Sequence, residues 1–232
     1  LNMMQEPKIL ILYGPPAAGK DTQAKRLSNK IGAQIVSSSK LIEEKIFNPQ
    51  LQNDPIIQRE KMMYEKGELC TPKWVTQIIN EKIKELAEKK ESLIFTGSPR
   101  TLYEAENEIP YWESIYGKEN IIVILINLKA ETTIFRNSHR RICKQCGYPV
   151  VYSFETEMWR FCPLCGGEIV NRGVLDEVET IKTRIVEYEN RTKPVIDYFK
   201  KNNYQIIEID GEPLPDVVTQ NILEELKKAK FF

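Results

Sequence analysis

Gly14-Pro15-Pro16-Ala17-Ala18-Gly19-Lys20-Asp21-Thr22 follows directly on the apolar run Ile9-Leu10-Ile11-Leu12-Tyr13. Glycine, four residues, glycine and lysine begin a phosphate-binding loop, in the setting that loop requires: a buried strand before it and a helix after it. Inward-pointing backbone N–H groups make a concave anion site, and the helix N-terminus adds partial positive charge. Lys20 supplies a full charge for the outer phosphates. The chemistry implied is binding of a nucleotide polyphosphate.

A second cluster is made of cysteines. Cys143-Lys144-Gln145-Cys146 and Cys162-Pro163-Leu164-Cys165 are 15 residues apart, the spacing of a four-cysteine zinc site. Glycine after each pair (Gly147; Gly166-Gly167) permits a tight knuckle that aims two thiolates at one ion. Four thiolates leave no open position for substrate, so the expected role is structural, the metal replacing a core that so short an insert cannot build. A redox role for either pair and a nucleic-acid zinc ribbon are the alternatives. The first is disfavoured by the paired register, the second by the lack of a dense basic stripe. Cys70 stands apart and reads as a half-buried small residue.

The third group is basic. Phosphoryl transfer needs positive charge around the migrating group, exclusion of water, and alignment of donor with acceptor. Arg100 follows Gly97-Ser98-Pro99 at a strand end, where α/β sheets bind ligands. Arg136, Arg140 and Arg141 precede the cysteine module, and Arg172 and Arg184 follow it. Any one of these alone would read as a solvated surface charge; arginines on both sides of the module argue for a shared task.

Strand-like and helix-like segments alternate, as in an α/β protein with a parallel sheet. Strands are expected at 8–13, 34–37, 92–96, 120–127 and 204–209, and helices at 20–31, 72–90, 130–141, 176–201 and 214–230. Asp176 and Glu179 form a capping-box pattern, and Pro194 should kink or divide the helix they open. Two stretches break the alternation: the polar segment 38–66, and 143–170, rich in Cys, Gly, Pro and aromatics, which reads as a small metal-held β module. The expected division is a core of 1–37, 67–135 and 173–232, a helical insert at 38–66 and a metal-bound lid at 136–172.

The chain has 232 residues, 41% hydrophobic and 28% charged, an ordinary globular composition. Lysine plus arginine and aspartate plus glutamate each number 33, so bulk charge gives no case for nucleic acid or an anionic membrane as partner. No apolar run reaches bilayer length and no secretory leader pattern opens the sequence. A cytoplasmic monomer is the expectation.

With these residues in view, the sequence resembles the adenylate kinase family of nucleoside monophosphate kinases, in its long zinc-lid form. The matching segments are Gly14–Ala24, Gly67-Glu68-Leu69, Gly97–Thr101, Arg140–Gly147, Cys162–Glu168 and the Thr-Ile-Lys-Thr-Arg run ending at Arg184. They span almost the whole chain. The resemblance implies a phosphate-loop, three-layer α/β core with a five-stranded parallel sheet, a helical monophosphate-binding insert and a zinc lid. It implies transfer of a phosphoryl group from Mg-ATP to a nucleoside monophosphate, most simply AMP, with structural Zn2+. By position, Gly14, Ala17, Ala18, Gly19, Lys20, Asp21 and Thr22, with Arg136 and Arg140, would hold ATP. Ser38, Glu43, Glu68, Leu69, Cys70, Gly97, Arg100, Glu104, Arg172 and Arg184 would meet the acceptor. Lys20, Arg100, Arg136, Arg140, Arg172 and Arg184 would serve the transfer itself, and Cys143, Cys146, Cys162 and Cys165 the metal.

Departures from the family pattern gather at the acceptor and magnesium sites. Glu43 replaces an arginine that contacts the acceptor phosphate, leaving Lys40 as a substitute. Glu104 replaces the glutamine that reads adenine. Thr96 replaces an aspartate of the magnesium shell, and Leu175-Asp176 stands for an Asp-Asp pair. Asp21 follows the loop lysine where the family has glycine, either as a solvated first-turn acid or as a replacement for the carboxylate missing at Thr96. A carboxylate at 104 suits guanine's N–H groups better than adenine, so a shift of acceptor to GMP, or to a pyrimidine monophosphate, is an alternative expectation. A nucleotide-binding module with weak transfer is another.

Overall fold

A computed structural model describes residues 6–171 and 176–231. Strands β1 (Ile9–Tyr13), β2 (Gln34–Ser37), β3 (Leu93–Thr96), β4 (Ile121–Asn127) and β8 (Gln205–Asp210) form one parallel sheet in the order β2-β3-β1-β4-β8. The central strand is apolar on both faces because both are covered. Ile9, Ile11 and Tyr13 face one cluster with Ile79, Trp112 and Phe199, while Leu10 and Leu12 face a second with Leu27, Ile222 and Leu226. Helices on both faces of a parallel sheet make the three-layer architecture.

On the second face lie α1 (Lys20–Ile31) and α10 (Pro215–Lys228). The first face carries α4 (Pro72–Ala87), α5 (Leu102–Tyr116) and α9 (Lys193–Lys201). The sequence expectation had no helix at α5, where Pro110 lies inside the span. An interior proline costs a helix about 3 kcal/mol. Here Ala105, Ile109, Trp112 and Tyr116 recur at helical spacing and are buried, with Trp112 stacked on Phe95 at a centroid distance of 4.1 Å. That burial outweighs the lost bond.

The helix expected over 176–201 is divided, as Pro194 suggested. It consists of α8 (Val178–Glu187), a π-helical turn (Tyr188–Thr192) and α9. The capping box expected at Asp176 is not formed: Glu177 is the N-cap, without a side-chain cap bond.

The polar insert is helical, with α2 (Ser38–Ile46) and α3 (Pro55–Glu65) joined through a 3-10 turn (Pro49–Leu51). Asn48 and Asp54, each before a proline, accept the N–H of Gln50 and Ile56 and so start the two turns. After α6 (Ala130–Ser138), β5 (Arg141–Cys143) pairs antiparallel with β6 (Pro149–Val150) and β7 (Ile169–Asn171) around the cysteines. Between β6 and β7 lies α7 (Phe154–Glu157). Arg141, considered above for catalysis, is engaged there: its guanidinium donates to the carbonyls of Thr156, Glu157 and Trp159. Among the described residues, no helix is long and apolar enough to cross a membrane.

Candidate active site

The C-terminal ends of β1 and β3 and the segments that follow β2, β4 and β8 line one cleft of about 480 Å³. Gly14 starts the phosphate loop because nothing else fits: with φ at 148°, a Cβ there would lie 2.5 Å from the Ile126 carbonyl oxygen. The turn closes with Ala18 N–H donating to the Pro15 carbonyl at 3.1 Å, Ala17 taking a left-handed φ of 63°. A non-glycine residue in that region is held by its surroundings, and such residues gather at functional sites.

Lys20 folds back over the loop and donates to the carbonyls of Gly14 and Pro15, both at 2.8 Å. Burial, then the guanidinium of Arg100, lower its pKa to about 7; Arg184 and Arg140 push the same way, and Asp21 opposes them. Lys20, Arg100, Arg140 and Arg184 therefore converge on one small volume. Such a concentration of positive charge, with Asp21 beside it, is suited to a phosphate chain.

Gly14, Ala17, Ala18, Gly19, Lys20, Asp21, Thr22, Glu68, Gly97, Arg100, Arg136, Arg140 and Arg184 all line this cleft. Arg136 is anchored there by bonds to the carbonyls of Gly211 (3.0 Å) and Glu212 (2.9 Å). Arg172 and Leu175 lie outside the described residues. Five expected substrate contacts are not on the cleft wall. Ser38 is buried and donates its hydroxyl to the Gly97 carbonyl. Leu69 is buried, its N–H donated to Glu187. Cys70 belongs to the core, its thiol pushed up to about 12 by burial and by Glu60. Glu43 accepts the Tyr64 hydroxyl, so its charge is spent inside the insert.

Glu104 is the fifth. Its carboxylate is buried, accepting the Arg100 N–H at 2.7 Å and the Thr101 hydroxyl at 3.1 Å. Beside it Glu108, also buried, accepts Ser98 and Thr76 hydroxyls at 2.9 and 3.2 Å. Burial, and then the negative neighbour Glu104, hold the Glu108 carboxyl well above the usual range.

Other cleft residues gave no signal in the spacing. Phe135, His139 and Tyr152 form an aromatic wall, with centroids 4.3 Å (Phe135 to His139) and 4.6 Å (His139 to Tyr152) apart. Tyr188 and Thr192 bring the π-helical turn to the cleft, beside Glu187 at the end of α8. Tyr152 and the π-helical turn reach the cleft from elements distant in sequence from α6, which no local pattern announces.

Beyond β5 the thiol sulfurs of Cys143, Cys146, Cys162 and Cys165 lie within 4.8 Å of one another. Cys143 to Cys165 is 3.5 Å and Cys146 to Cys162 is 3.6 Å. Tetrahedral zinc with Zn–S of about 2.3 Å needs sulfurs about 3.8 Å apart, so the donor set fits that ion. Both knuckles are built alike, Gly147 N–H bonding the Cys143 carbonyl and Gly166 N–H the Cys162 carbonyl, each at 2.9 Å. The N–H of Cys146 is the main cause pulling the Cys143 thiol down to about 6. Lys25 of α1 donates to the Gly147 carbonyl at 3.0 Å and ties the first knuckle to the core.

A doubly wound parallel sheet, a phosphate loop on its central strand and a ring of arginines at its carboxyl edge define a phosphate-loop phosphotransferase. The adenylate kinase family model matches residues 12–204. Relatives named adenylate kinase include one from Archaeoglobus fulgidus, 31% identical over 95% of this chain and 99% of its own. One from Borrelia turicatae is 33% identical over 94% and 99%, and one from Petrotoga mobilis 30% identical over 94% and 97%. The chain belongs to the adenylate kinase family, and with it to the nucleoside monophosphate kinases.

Proposed function

We propose that the protein transfers the terminal phosphoryl group of Mg-ATP reversibly to AMP, giving two molecules of ADP. The convergence of Lys20, Arg100, Arg140 and Arg184 at the mouth of the phosphate loop carries this reading. The loop and Lys20 hold the donor phosphates, and Arg100 holds the acceptor phosphate. Arg136 and Arg140 approach from the lid side and Arg184 from α8. An acceptor phosphate oxygen attacks the terminal phosphorus in line while the bond to the ADP leaving oxygen breaks. No side chain becomes bonded to phosphorus: the arginines neutralise the equatorial oxygens, and the closed cleft keeps water from competing. Magnesium, bound with ATP, would screen the donor phosphates. Asp21 stands directly after the loop lysine, where phosphate loops place the magnesium-binding hydroxyl, and with Thr22 offers it hard oxygen donors.

Segment 38–66 serves as the acceptor-binding insert, and 136–172 as a lid held by zinc on its four cysteines. Zinc supplies rigidity alone, since four thiolates close its shell. The case for GMP rested on Glu104 facing the base; that carboxylate is turned into its own loop, which removes that ground and supports AMP as the acceptor. Mixing ATP and AMP with the zinc-loaded protein should yield ADP at twice the rate of AMP loss, and Arg100→Ala should slow that conversion sharply and raise KM for AMP while ATP binding persists. Absence of ADP formation by a zinc-replete protein that binds ATP would refute the reading.

A further inference from the structure

Five consecutive residues between β3 and α5 are each held by a different contact. Ser38 donates to the carbonyl of Gly97, and Tyr13 to that of Pro99. The Ser98 hydroxyl donates to Glu108, and the Arg100 N–H to Glu104. Thr101 accepts the Glu104 N–H at 3.2 Å and returns its hydroxyl to the same carboxylate. The packing at the loop's start is as tight: a Cβ on Gly97 would lie 2.5 Å from an Arg100 guanidinium nitrogen and 2.7 Å from the Ser38 hydroxyl.

Of these anchors, only Glu104 bonds the residue whose guanidinium enters the cleft. The geometry assigns Glu104 as a positioning residue for Arg100: its carboxylate accepts the Arg100 N–H and so fixes the backbone from which the guanidinium reaches the cleft. This rests on the reading that Arg100 holds the acceptor phosphate. The resemblance alone placed position 104 against the acceptor base, whereas the bonds place it against the loop. Pre-organisation is the physical gain. An arginine on a loose loop must be ordered when the phosphate binds, and a bond made beforehand removes that cost from acceptor affinity. Donor affinity rests on the phosphate loop, which this segment reaches through the charge of Arg100 beside Lys20; a displaced backbone that keeps that charge in the cleft changes it far less than acceptor affinity.

A helix cap without functional consequence would predict only lost stability. The test separates the two through KM. Steady-state kinetics on the zinc-loaded protein would compare Glu104→Ala, Glu104→Gln, Glu104→Asp and Arg100→Ala, with melting temperature recorded for each. Loss of a charge-assisted bond corresponds to about ten- to a hundredfold. Glu104→Ala should raise KM for AMP within that range and leave KM for ATP within about twofold. Glu104→Gln, whose amide oxygen can accept the same N–H, should return KM for AMP to within about threefold of the parent. Glu104→Asp keeps the charge and withdraws it by one methylene, so it should behave like alanine even where the alanine variant folds poorly. Unchanged KM for AMP in both the alanine and aspartate variants would overturn the assignment, as would parallel increases for both substrates. If Arg100→Ala leaves KM for AMP unchanged, the acceptor role of Arg100 fails first, and the assignment of Glu104 fails with it.

Discussion

Nucleotide binding should draw a proton from solvent, and Lys20 should be the group that takes it. In the free protein its amine is buried, bonded to two carbonyls and surrounded by three arginines, and its pKa falls from 10.5 to about 7. At pH 8.5 about 3% of such a group is charged. A polyphosphate in the loop restores the ammonium, so binding at that pH should take up about one proton. Restoring the charge 1.5 units above the pKa costs about 2 kcal/mol. The dissociation constant for Mg-ATP should therefore rise about tenfold per pH unit above the midpoint, while stability of the free protein rises with pH between about 7 and 10.5, where the unfolded chain binds the proton that the fold refuses. Calorimetry at pH 8.5 in two buffers of widely different ionisation enthalpy measures the uptake directly, and without AMP no turnover intervenes. The phosphates of ATP are already deprotonated there. Lys20→Met should bind more weakly and with no uptake. Uptake below about 0.2 proton, or equal uptake in Lys20→Met, would show that the free site keeps its lysine charged and refute this electrostatic account.

Glu108→Gln should become more stabilising as pH rises. The native carboxyl is held above its ordinary value of 4.5, so the folded protein retains a proton that the unfolded chain has released, and the parent loses about 1.4 kcal/mol per pH unit from that value up to the folded pKa. Melting curves from pH 5 to 8 check this, and a constant difference between the two proteins would contradict it. Chelation of the metal under reducing conditions should release the amides of β5, β6 and β7 to fast hydrogen exchange and lower turnover, while β1, β3 and β4 stay protected, because the central sheet has its own core. Loss of protection in both sheets together would show one cooperative unit instead. Asp21→Asn should shrink the gain in ATP affinity that Mg2+ confers and leave metal-free ATP binding equal or tighter, read by titration with and without the ion. An unchanged magnesium effect would return Asp21 to the role of a solvated acid.

Much of the core could be read from the residues because its signals are local. All five expected strands are present, and α1 runs over Lys20–Ile31 as expected. Each strand is a short apolar run bounded by turn residues, and the phosphate loop and the cysteine knuckles are fixed spacings. Helix α5 was not expected; its span carries an interior proline, and in the fold Trp112 and Ile109 decide the matter by burial. Glu104 was misplaced for a related reason. Its position, though not its type, matched a base-reading residue, but its partner is the N–H of Arg100, four residues back. The fate of Glu43 is likewise set by Tyr64, 21 residues away. The aromatic wall of Phe135, His139 and Tyr152 depends on how the cysteine module folds back upon α6, which composition does not encode.

The central claim is tested most directly by steady-state phosphoryl transfer from Mg-ATP to AMP, GMP, UMP and CMP in parallel, with zinc content verified beforehand. The account predicts turnover with AMP well above the other three acceptors. Preference for GMP or a pyrimidine monophosphate, or no turnover by a protein that binds ATP, would contradict it.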